Sequence, residues 1–211
     1  MDCSGCEASC CKNLVKERRD LKVGLFLLVH EKRKLAELAT KMGLEVDIRP
    51  LHYLETSLDE QKILTYQMVN KDCEFLDREA NKCTIYDSRP LVCRSYPIQC
   101  KLPHTNMEID LDCKNTSSIP SILEELGVEA LRAKKEAEQK NRELFRSLNL
   151  EEEYLAYSEL RNAWFKLLTE YGRGKATIYV HDHVNQELLP YIKCRNGEWL
   201  YRKIVRNGEN L

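Results

Sequence analysis

Apolar positions along this chain repeat with two periods, and the change from one to the other marks out the elements. Residues 21–29 form a short, nearly continuous apolar run, the pattern of a buried strand. Residues 31–42 then place Leu35, Ala36, Leu38, Ala39 and Met42 at helical spacing, and Gly43 supplies a stop. An extended segment is expected over 46–54, interrupted by Pro50, and residues 62–69 alternate as a strand does. Residues 73–86 read as a hairpin or knuckle, with Cys73 and Cys83 on its arms and 78–81 as its turn. Asp87-Ser88-Arg89-Pro90, with a capping residue and a proline near a helix start, predicts a short helix over 89–96, ended by Pro97. A strand over 107–111 would deliver Cys113.

Beyond residue 115 the pattern changes. Residues 121–148 form a helix candidate, broken near Gly127, whose polar stretch 132–143 mixes both charge signs as a solvated face does. A second helix is expected over 150–171, with Tyr154, Leu155, Tyr157, Leu160, Trp164, Leu167 and Leu168 as its apolar side. Residues 176–180 and 198–205 are strand-like and make a hairpin-like tail. The expected architecture is α+β: a small cysteine-rich module of short strands and helices over 1–115, followed by a helical half over 116–211 packed on it.

Composition narrows the functional classes. The 43% hydrophobic content of 211 residues is enough for a packed core without covalent staples. Lys+Arg of 33 against Asp+Glu of 34 gives no general attraction to nucleic acid or to an anionic membrane. The start of the chain lacks a basic segment followed by an apolar run, and no apolar stretch is long enough to span a bilayer, so a cytoplasmic protein is expected. There is no glycine-rich phosphate loop and no nucleophile elbow.

The candidate chemistry lies in the cysteines. Nine of ten precede residue 114, and four of these fall in Cys3-x2-Cys6-x3-Cys10-Cys11. Thiolates grouped in this way suit zinc or an iron–sulfur cluster, and a reducing cytosol argues against the alternative, a disulfide framework. Cys3-x2-Cys6 has knuckle spacing. Neighbouring side chains in an extended segment point to opposite sides, so Cys10 and Cys11 are expected to serve different sites or opposite ends of one polynuclear site. Cys73, Cys83 and Cys93 would complete what the first four begin, Cys113 is a further candidate ligand, and Cys100 is the least constrained of the set. Cys194 stands alone and reads as a small buried residue.

Cys73-Glu74-Phe75-Leu76 and Cys83-Thr84-Ile85-Tyr86-Asp87-Ser88-Arg89-Pro90-Leu91-Val92-Cys93-Arg94-Ser95-Tyr96-Pro97, taken with the opening cysteines, resemble the YkgJ-type cysteine-cluster family. The resemblance covers about residues 1–115 and implies a zinc- or iron-chelating domain. It implies metal contact by Cys3, Cys6, Cys10, Cys11, Cys73, Cys83 and Cys93, with Cys113 as the late cysteine of the pattern. The flagellin lysine N-methylases carry a similar cysteine pattern, so a protein lysine N-methyltransferase is a second functional class. A zinc-stabilised protein-interaction module, with the helical half as partner surface, is a third.

Arg89 and Arg94 flank Cys93. Guanidinium groups there would offset thiolate charge or grip a carboxylate or phosphate, which makes both residues candidates for cofactor contact; a salt bridge to Asp77 or Asp87 is the structural alternative. The expected cofactor is an iron–sulfur cluster, with zinc as the other candidate. The reasons are the surplus of thiolates and the divergence expected of Cys10 and Cys11.

Overall fold

The computed structural model describes residues 8–12, 14–18, 21–55, 61–101, 106–110, 113, 116, 135–171, 177–182, 187–195 and 198–201. The strands of the first half are β1 (Lys16–Arg18), β2 (Leu21–Val23), β3 (Leu25–Leu28), β4 (Ile48–Glu55), β5 (Gln61–Met68), β6 (Leu76–Asp77), β7 (Lys82–Cys83), β8 (Ile98–Lys101) and β9 (Asn106–Ile109). Those of the second half are β10 (Thr177–Asp182), β11 (Glu187–Arg195) and β12 (Glu198–Tyr201). The helices are α1 (Val29–Met42), α2 (Leu91–Arg94), α3 (Lys135–Ser147) and α4 (Glu151–Tyr171). The fold is α+β.

The chain divides into two compact units, each built from two stretches of sequence. One comprises Met1–Lys12 and Phe75–Ala163, the other Asn13–Glu74 and Trp164–Leu211. The units therefore interleave along the chain, where the composition had placed a single boundary near residue 115.

The second unit is organised by a six-stranded antiparallel sheet in the order β12-β11-β10-β4-β5-β3. Its centre buries Leu27, Leu54, Leu64, Met68, Ile178 and Val180. The apolar run 21–29 is not one strand. Gly24 lies between β2 and β3, where a Cβ would stand 2.2 Å from the Met68 carbonyl oxygen, so the backbone passes too close to β5 for a side chain. The helix takes over at Val29 because the Glu31 carboxylate accepts the Leu28 N–H at 2.8 Å, which caps the first turn. Gly43 ends α1 in the left-handed conformation, φ 66°, as its sequence position predicts.

Pro50 does not interrupt β4. The β4–β5 register shifts between Pro50 and His52, and β10 pairs with β4 only from His52 to Glu55, so the proline sits at a bulge where no ladder bond needs its missing N–H. Pro190 hides β11 from a sequence reading for the same reason: it faces Tyr179 across the β10–β11 irregularity. Residues 177–182, 187–195 and 198–201 are thus three strands of the main sheet rather than a separate hairpin-like tail, and Cys194 lies within β11, opposite Trp199.

The cysteine-rich unit is made of very short elements. The described part of the helix expected over 121–148 is α3, and residues 117–134 lie outside the described residues. α3 turns into α4 through Asn149 at φ 55°, with Glu151 bridging Arg142 and Arg146 at 2.7 Å and Phe145 stacked on Tyr154. Fully buried Phe75, Ile98, Phe145, Leu150, Tyr157 and Leu160 form the apolar interior of this unit.

Candidate metal centre

Cys10 and Cys11 occupy a 3-10 turn, Ser9–Cys11, rather than an extended segment. Ala8 enters the turn in the left-handed conformation, φ 56°, and its carbonyl accepts the Cys11 N–H at 2.9 Å. The tight turn brings both side chains to one side, with the sulfurs 3.8 Å apart. This corrects the divergence expected of adjacent cysteines, which holds only for an extended backbone. Two sulfurs each about 2.3 Å from one tetrahedral ion also stand about 3.8 Å apart. The observed spacing matches two neighbouring positions of a tetrahedral thiolate ion, and both cysteines are partly exposed.

Ser9, in the same turn, meets Tyr96 from beyond α2: their hydroxyl oxygens are 3.4 Å apart. Burial chiefly pushes the Tyr96 phenol well above its ordinary value; the Ser9 hydrogen bond opposes this, and negative charge at Asp110, Cys113 and Cys10 adds to it. One phenol thus experiences the opening turn, the segment after α2 and the segment after β9 together.

Each of the other segments is fixed locally. Thr84 donates both its N–H and its hydroxyl to the Phe75 carbonyl at 2.9 Å, closing the β6–β7 knuckle that carries Cys83. Asp77 accepts the N–H groups of Glu79 and Ala80, and Asn81 at φ 50° completes the turn. Cys93 lies in α2, a helix of four residues rather than the eight expected. Tyr86–Ser88 forms its own 3-10 turn, and Arg89 is extended ahead of Pro90, so α2 starts after Pro90 with no side-chain cap. Strand β8, not anticipated from sequence, pairs with β9 and returns the chain to Asp110, whose N–H bonds to Pro97. The Thr116 hydroxyl donates to the carbonyls of Cys113, at 2.7 Å, and Asp110, at 3.0 Å, holding the buried Cys113 loop.

The cysteines named from sequence therefore fall into groups. Cys10, Cys11, Cys83, Cys93 and Cys113 belong to one unit, and Cys73, also buried, belongs to the other. Cys100 lies in β8 opposite Met107, with its side chain outside the described residues, as Cys3 and Cys6 are altogether. No disulfide joins Cys10, Cys11, Cys73, Cys83, Cys93 and Cys113 to one another. Among the described residues, no group of three or more His, Cys, Asp and Glu side chains converges enough to hold an ion. The pair fits two positions of a tetrahedral thiolate site, and the described residues do not extend to the rest. Arg89 lies with its guanidinium carbon 3.7 Å above the Tyr86 ring and its Nε donating to the Tyr86 carbonyl at 3.0 Å, while Arg94 is exposed.

Tyr96, Ser9, Asp110 and Thr116 did not stand out from sequence as parts of this region. Tyr96 is visible there only as the end of the Cys93–Pro97 motif, and nothing local reveals a partner 87 residues away.

Residues 2–116 match the family described as "CxxCxxCC: Putative zinc- or iron-chelating domain". The chain belongs to this family. The matched stretch holds the opening turn, the β6–β7 knuckle, α2 and the Cys113 loop, so metal chelation is the chemistry of this CxxCxxCC domain. The resemblance read from the cysteine motifs is thereby borne out. No curated protein and no solved structure matches the chain. No helix among the described residues is long and apolar enough to cross a membrane.

Proposed function

We propose that the cysteine module is a thiolate site for one tetrahedral ion, zinc, with Cys10 and Cys11 as two of its ligands and the others drawn from Cys3, Cys6, Cys83, Cys93 and Cys113. The observation that carries this reading is the 3.8 Å separation of the Cys10 and Cys11 sulfurs. The role is structural. β6 and β7 have two residues each, the opening turn three and α2 four, too few to be stable by their own hydrogen bonds. A four-thiolate zinc ion is coordinatively closed and supplies cross-links between such segments. Thiolates kept for metal require a reducing compartment, so we place the protein's action in the cytoplasm.

An iron–sulfur centre with redox activity is the second reading, favoured by the surplus of thiolates before residue 114. Analysis of zinc, iron and acid-labile sulfide, with an absorption spectrum, on protein purified without oxygen separates the two. Stoichiometric zinc without sulfide is expected. Iron with matching sulfide and a band that bleaches on reduction replaces zinc with the second reading, and protein that takes up neither metal overturns both.

A further inference from the structure

Two thiols 3.8 Å apart on adjacent residues can do more than share an ion. A disulfide requires the sulfurs to close to about 2.05 Å. Because the two residues are adjacent in the chain, closing that gap is a matter of side-chain rotation and a local change in the turn. The product would be an eight-membered ring spanning one peptide bond. Cα atoms across a trans peptide lie about 3.8 Å apart, below the usual disulfide range of about 4.4–6.8 Å, so such a ring is strained and easily reduced. Both cysteines are partly exposed, which gives an oxidant access.

We infer that Cys10 and Cys11 form a reversible oxidation site, a vicinal disulfide made by a hydroperoxide in competition with the metal. One thiolate attacks a peroxide oxygen, breaking the O–O bond to give a sulfenic acid and hydroxide. The second thiolate attacks that sulfur, forms the S–S bond and expels a second hydroxide. With the two thiol protons, one peroxide is reduced to two waters and the dithiol is oxidised to one disulfide. Where an ion is bound, both thiolates must leave it, so oxidation and metal release are a single event. The inference shares its two residues with the zinc reading, and its chemistry needs only their proximity and exposure.

The test treats the purified protein with hydrogen peroxide, with and without prior zinc loading. Unreacted thiols are then alkylated, and the tryptic peptide 1–12 is sequenced by mass spectrometry. The expected result is a peptide lighter by two hydrogen atoms, with Cys10 and Cys11 both protected from alkylation and no backbone fragmentation between them. Dithiothreitol should restore both thiols, and zinc-loaded protein should release its ion, read with a chromogenic chelator, in step with ring formation. Pairing of either cysteine with Cys3 or Cys6, over-oxidation to sulfinic acid, or continued alkylation of both overturns the inference. Zinc content is read separately. A ring in protein that never takes up metal removes the zinc reading alone, and metal uptake without a ring removes this inference alone.

Discussion

The hydroxyl of Ser9 lies 3.4 Å from the hydroxyl of Tyr96, joining the turn that carries Cys10 and Cys11 to the segment that follows Cys93. Tyr96 is also the group on which Cys10, Cys113 and Asp110 act together. Tyr96→Phe keeps the ring and removes the tie. We expect metal affinity to fall roughly 10-fold, at the lower end of the effect of losing an outer-shell partner, with the free energy of unfolding reduced by about 1 kcal/mol. Competition with a chelator of known affinity measures the first and urea unfolding the second. Unchanged affinity would show that the Ser9–Tyr96 contact does not serve the metal.

Gly24 is required by space. A Cβ at this position would stand 2.2 Å from the Met68 carbonyl oxygen and 2.8 Å from its carbon, both backbone atoms that cannot swing aside. The Gly24 N–H meanwhile donates to the buried Gln67 side chain at 2.8 Å. Gly24→Ala must separate β3 from β5, and destabilisation of about 1–3 kcal/mol or more is expected from chemical denaturation. A variant as stable as the parent would contradict this packing.

His52 makes the sheet unit sensitive to acid. Its ring is buried between Phe26 and Trp164 and shares a hydrogen bond with Thr65 at 2.7 Å. Burial lowers its pKa from 6.5 to about 3. The unfolded chain takes up this proton as pH falls below about 6.5, whereas the folded chain resists until near 3, so the neutral ring's contribution is complete above about 6.5 and is lost progressively toward 3. His52→Asn keeps a partner for Thr65 but does not titrate. Melting temperatures at several pH values should fall less steeply with acid in the variant than in the parent. Parallel profiles would place the acid sensitivity elsewhere.

Removing the metal should loosen the cysteine-rich unit. Thr84, Arg94 and Thr116 donate their amides within segments too short to persist alone, to Phe75, Pro90 and Cys113 respectively. Exchange of these amides with deuterium should accelerate at least 10-fold after chelation, as metal binding and local folding are linked. Rates unaffected by chelation would mean that packing, not an ion, holds these segments.

Much of the fold is legible in the sequence. The 3.6-residue repeat and Gly43 give α1, and alternation gives β5. What was not legible depends on tertiary partners. Gly24 meets the Met68 carbonyl too closely for a side chain, and Pro50 and Pro190 stay inside strands because bulges absorb them. Spacing and motif single out candidate cysteines, whereas the relation of Cys10 to Cys11 is not legible from adjacency. Adjacency fixes neither direction nor distance until the backbone conformation is known, and Ala8 in the left-handed region is what starts the turn.

X-ray absorption at the metal edge of the wild type, Cys10→Ser and Cys11→Ser addresses the shared ion most directly. If both cysteines bind one ion, the wild type shows sulfur at about 2.3 Å, and each variant replaces one sulfur with a lighter ligand at that same ion. If the full sulfur shell survives in both variants, or the two substitutions empty different metals, Cys10 and Cys11 do not share an ion.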